Sequence, residues 1–61
     1  MFLKYETTAK EFVAVNPIHV AMIRDFGNDT TEIVMSHHLT KVFVKVPYLQ
    51  VLGDLQSATK E

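Results

Sequence analysis

The residues of this chain that could do chemistry are three histidines, a few carboxylates around one turn, and a Lys-Phe-Lys strand. Imidazoles ligate zinc and titrate near neutral pH, so His19, His37 and His38 come first. Adjacent strand residues point to opposite faces, so His37 and His38 are poorly placed to share one metal. A hairpin turn centred on Asn28 would instead set His19 opposite His37, and a one-residue slip would set it opposite His38. His19 and His37 are therefore the candidate pair, as two zinc ligands or as a pH-sensitive contact. No cysteine and no third ligand stands near them in the sequence, and the plainer reading is two solvated polar residues. No cofactor is expected.

Asp25, Asp29 and Glu32 surround the same turn, but the Asp-x-Asp-x-Asp-Gly spacing of a calcium loop is absent. Ser36 and Ser57 lack a nucleophile elbow, and Gly27 and Gly53 stand alone rather than in a phosphate-binding loop. A chain of 61 residues also has little material with which to wall a pocket off from water. The expectation is a protein that is not an enzyme. Lys41, Phe43 and Lys45 share one strand face and could clamp and stack single-stranded nucleic acid. Lys on an exposed strand also blocks unwanted sheet pairing. A net charge of −1, with signs alternating along the chain, lacks the basic surplus usual in nucleic-acid modules. Nucleic-acid binding is thus the alternative rather than the leading function.

The elements that must position these residues are legible from pattern. Phe2–Thr7 and Glu11–Val15 suit two short strands joined through Thr7-Thr8-Ala9-Lys10, and Asn16-Pro17 breaks the second. Ile18–Asp25 and Thr31–His37 alternate on either side of Gly27-Asn28-Asp29-Thr30, where Gly and Asn tolerate positive φ, and so predict a hairpin. Lys41–Val46 places Val42, Val44 and Val46 on one face and Lys41, Phe43 and Lys45 on the other. Pro47 suits a first helical position, and Tyr48, Val51, Leu52 and Leu55 form an amphipathic stripe. Gly53 weakens that helix by about 1 kcal/mol relative to Ala, so docking must sustain it. Residues 57–61 read as a frayed tail.

The predicted fold is α+β, with residues 1–61 forming one small domain. It is an antiparallel β-meander of four to five strands with one C-terminal helix packed on one face. No apolar run reaches the roughly 18 residues that span a bilayer, and Met1–Tyr5 lacks a signal-peptide core. The chain is expected to be soluble and cytoplasmic, with no membrane contact.

The segment EFVAVNPIHVAMIRDFGNDTTEIVMSHHLTKVFVKVPYLQVLGDL resembles short bacterial and phage proteins of the FlbD type. Their layout is a strand, an Asn-Pro-type turn, further strands and a closing helix. Glu11-Phe12-Val13, Asn16 and Ile18 match the FlbD opening, and the resemblance implies a small flagellar protein. His37-His38-Leu39 stands where FlbD-like chains carry a glycine turn. The strand order is also similar to the first half of LytTR-type DNA-binding domains. Those domains hold their DNA-reading residues on strands and loops beyond the helix.

A single helix covers one sheet face, while two apolar sets compete for it. Val13, Val15, Ile23, Val34 and Phe43 form one set; Phe12, Ala14, Ile33, Val42 and Val44 form the other. Whichever set stays outside marks an interface. The expected function is a small interaction module, such as an adaptor, a regulator or a phage-encoded modulator. It would self-associate as a homodimer or higher oligomer, or dock on an unidentified protein. Val13, Val34, Lys41, Phe43 and Lys45 are its predicted interface residues.

Overall fold

A computed structural model describes residues 2–36 and 40–59. Among them the chain forms strands β1 (Leu3–Glu6), β2 (Phe12–Val15), β3 (Val20–Gly27), β4 (Thr30–Met35) and β5 (Lys41–Val44), then helix α1 (Tyr48–Thr59). β1 and β2 pair as one antiparallel sheet, and β3-β4-β5 as a second. Backbone bonds from Thr8 N–H to the Phe43 carbonyl (3.0 Å) and from Lys45 N–H to the Glu6 carbonyl (2.9 Å) tie the sheets together. They flank an antiparallel bridge between Thr7 and Val44. The α+β meander with a C-terminal helix is the architecture the pattern predicts.

The β1–β2 and β3–β4 hairpins are fixed by left-handed residues. Asn28 and Asp29 have φ of 53° and 58°, the signature of a type I′ turn whose twist suits the flanking strands. In the first hairpin, Lys10 takes φ 65°, and its N–H donates to the Thr7 carbonyl (3.0 Å). This is the three-residue loop in which a left-handed position follows a type I turn. Thr7 Oγ1 accepts from the N–H groups of Ala9 and Glu11, both at 3.2 Å. These bonds supply the order that an Asn-Gly turn would otherwise provide.

The third strand starts later than expected. Asn16 Oδ1 accepts from Ile18 N–H (3.3 Å), and Pro17 fixes its own φ, so Pro17–His19 forms a 3₁₀ turn instead of strand. Two irregularities then interrupt the β3–β4 register, one at Ala21 and one at Phe26.

Tyr5, Val15, Ile33, Val44 and Val51 form the buried core, with Leu3, Val13, Val20, Ile23, Val42 and Leu55 among the residues packed around it. The two competing apolar sets therefore re-sort. Ile23, Ile33 and Val42 stand side by side across three strands, so they share the core face. Val13 stands opposite Tyr5 and joins them, while Phe12 and Ala14 face outward. Helix α1 packs on β3, β4 and the 3₁₀ turn. Pro47 precedes the first helical residue by one position, and its carbonyl accepts from Gln50 and Val51 N–H (3.0 and 3.1 Å). Helix α1 runs through Ser57–Thr59, and residues 60 and 61 of the expected tail lie outside the described residues.

One long-range bond ties α1 to β1. The Tyr5 hydroxyl donates to Asp54 Oδ2 at 2.7 Å. Burial, the bond to that carboxylate and its negative charge together hold the Tyr5 phenol well above its ordinary pKa of 10.0. Ionising the phenol is thus harder in the folded chain than in the unfolded one. This stabilisation is complete below pH 10.0 and declines as pH rises above it.

Two outcomes follow for equilibrium denaturation. Tyr5→Phe is expected to cost about 1–2 kcal/mol near neutral pH, since a bond to a charged acceptor is lost. It should also shallow the alkaline decline; an unchanged alkaline limb would count against the Tyr5–Asp54 link. Gly53 is exposed, and a Cβ there would meet nothing within 4 Å. Gly53→Ala is therefore expected to raise stability by about 0.5–1 kcal/mol.

Candidate binding surface

Strand alternation sends Ile23, Ile33, Val42 and Val44 inward and sends their neighbours to the opposite face. Arg24 and Phe43 flank Glu32, and Met22 and Lys41 flank Val34. The irregularity at Phe26 adds a residue to β3 and brings its ring to Phe43, with centroids 5.1 Å apart and planes at 82°. That edge-to-face arrangement is favourable for aromatic quadrupoles. The Arg24 guanidinium carbon lies 5.8 Å from the Phe26 ring centroid, a cation–π distance. Met22 and Phe26 remain 49% and 53% exposed. Lys45 extends the row at the end of β5 and stands beside Glu6 across the joint to β1.

Glu32 organises this face. It is 1% exposed although it points away from the hydrophobic core. Arg24 Nε donates to Glu32 Oε1 at 2.7 Å, and Lys41 Nζ lies 3.9 Å from Oε2. A buried carboxylate needs such partners, because removing it from water uncompensated costs several kcal/mol. The Arg24 side chain is 55% exposed, so it neutralises Glu32 while keeping part of its guanidinium at the surface. The pair fixes the position of a cation on an otherwise mobile side chain.

The structure brings Val34, Lys41, Phe43 and Lys45 to this outer face. Val34 is buried beneath its neighbours, Phe43 is half-buried, and both lysines are exposed. Val13 does not belong with them, because its pairing with Tyr5 turns it to the core side. Met22, Arg24, Phe26 and Glu32 are additional members. The cross-strand opposition of Arg24 and Glu32 follows from the Asn28 turn and was within reach of the sequence. The placement of Phe26 depends on an irregularity that alternation does not signal.

The other candidates resolve differently. His19 closes the 3₁₀ turn, and its carbonyl accepts from Ser36 N–H (2.7 Å) and Ser36 Oγ (2.9 Å). The irregularity at Ala21 pairs Val20 with Met35, which aligns His19 with Ser36. His37 and His38 lie outside the described residues. Among the described residues, no group of three or more His, Cys, Asp or Glu side chains could hold a metal. Asp25 Oδ1 accepts from Gly27 N–H (2.8 Å), and Glu32 is drawn to Arg24, so these acids serve the turn and the sheet. A cleft of about 270 Å³ lies between the β3–β4 turn and the start of α1, lined by Asp25, Asn28, Asp29, Tyr48 and Leu49 among others.

No protein-family model matches this chain, and no curated protein or solved structure does either. Among the described residues, no helix is long and apolar enough to cross a membrane.

Denaturation of the paired variants tests the Glu32 arrangement. Arg24→Leu alone is expected to cost about 2 kcal/mol, below the value for a fully buried pair because Arg24 is half exposed. Adding Glu32→Leu should recover most of that loss, since both charges are then gone. Equal losses in the single and double variants would show that Arg24 acts only through packing.

Proposed function

We propose that this protein is a non-enzymatic interaction module that binds a macromolecular partner across the outer face of β3, β4 and β5. The carrying observation is the partly exposed Met22–Phe26–Phe43 cluster, framed by Arg24, Lys41 and Lys45 and left uncovered by α1. Side chains held by mutual contacts give such a face a defined shape, so little ordering accompanies binding. Hydrophobic surface rimmed by charge is the usual sign of an interaction site.

Charge supports a partner of opposite sign. A second copy related by a two-fold axis would set Arg24, Lys41 and Lys45 against their own images, and like charges across an interface are costly. Self-association through this face is the competing reading, favoured by its apolar residues alone.

Cation-exchange chromatography at neutral pH tests for the cationic patch, and light scattering separates the two readings. The chain carries a net charge of −1, so retention requires a cationic patch rather than a cationic protein. Wild type should be retained, and Lys41→Gln with Lys45→Gln should elute earlier. Light scattering over a concentration series should give the mass of one chain, unchanged by Phe43→Glu. A concentration-dependent dimer split by Phe43→Glu would reassign the face to self-association.

A further inference from the structure

We infer that the occupant of this face is a single-stranded nucleic acid; the inference rests on the interaction-face reading above. The charges of the chain sort by face. Lys4, Arg24, Lys41 and Lys45 lie on the outer side of the sheets, with Glu6 and the buried Glu32 as the carboxylates among them. Lys10 is the cation elsewhere in the described residues, against Glu11, Asp25, Asp29 and Asp54. The outer side is thus net positive and the remainder net negative, within a chain whose total is −1. Among the described residues, this is the face that offers a polyanion complementary charge.

Aromatic rings accompany the cations. Phe26 is 53% exposed with Arg24 at 5.8 Å, and Phe12 is 70% exposed with Lys4 Nζ at 6.0 Å from its ring centroid. Two cation–aromatic pairs therefore stand on the same side of the joined sheets, one on β3 and one on the β1–β2 hairpin. Cations that track a phosphate backbone, beside rings on which bases stack, form the working surface of proteins that bind single strands with little sequence preference. An acidic protein partner fits less well. Met, Phe and Arg are common at protein–protein interfaces, whereas Lys is depleted there, so the discriminating features of this face are its exposed lysines and its lack of a Trp or Tyr anchor. A duplex, with its bases already stacked, would leave the rings unused.

Fluorescence anisotropy of a labelled oligothymidylate of about 12 nucleotides provides the test. With Lys41 and Lys45 each neutralising one phosphate, and Arg24 already paired with Glu32, affinity should fall roughly sevenfold between about 50 and about 200 mM salt. Lys41→Gln should reduce the logarithmic salt slope by about 0.7, an effect that a purely structural lysine would not produce. Phe26→Ala should weaken binding at least about fivefold with the slope unchanged, and Phe26→Leu, which preserves bulk, should weaken it too. Circular dichroism confirms that each variant is folded.

Absence of binding at low salt, or a slope insensitive to Lys41→Gln, overturns the inference. So does displacement of the oligonucleotide by polyglutamate at equal charge, which would show that the face reads charge alone. If binding fails while Lys41 and Lys45 still govern retention on the cation exchanger, the interaction face stands with a different occupant. If that retention is absent as well, the interaction-face reading falls with it.

Discussion

One helix can shield one side of a sheet, and the rest of this structure answers to that constraint. Val51 is fully buried against Ile33, Val44, Val15 and Tyr5, and with it α1 is committed to the inner side. β4 runs through the middle of its sheet and is buried on both faces, including Thr31, Glu32, Ile33 and Val34. Its inner side is closed by the helix and its outer side by flanking side chains. The outer closure needs polar chemistry, because among the described residues no second layer covers it. Arg24 and Lys41 provide that chemistry at Glu32. Thr31 solves the matching problem on the inner side, donating from Oγ1 to the Val46 carbonyl at 2.7 Å.

Much of this architecture was legible because short-range rules decide it. The Asn28–Asp29 turn, the alternation in Lys41–Val46 and the stripe in α1 each depend on a few neighbouring residues. What escaped depends on register. Alternation shows that Val13 and Phe12 face opposite ways, but not which way is inward. That is settled by Val13 standing across from Tyr5. The 3₁₀ turn at Pro17–His19 and the irregularities at Ala21 and Phe26 shift β3 against β4. They align His19 with Ser36 and carry Phe26 to Phe43. Irregularities of this kind add a residue without changing the hydrophobic pattern that a strand assignment reads.

Charge is distributed differently in the fold than along the linear sequence. Lys41 and Lys45 are separated by four positions and Arg24 lies far upstream, so the signs look well mixed. A strand has a period of two, and residues at even spacing gather on one face. Mixing along the chain thus becomes segregation across the sheet. The near-zero total is the sum of two opposed patches.

The joint between the two sheets has a consequence for how the chain reaches its folded state. Thr7 is bridged to Val44, and Tyr5 is bonded to Asp54, so the first strand is held by the last strand and the helix. The β3–β4 hairpin closes a short loop and can form early, whereas β1 must wait for partners some forty residues downstream. On the ribosome, the core cannot close until α1 has emerged. Before then the β1–β2 hairpin has β5 at most to hold it. Closure of the core therefore comes after the local β3–β4 hairpin, because it depends on contacts between the two ends of the chain.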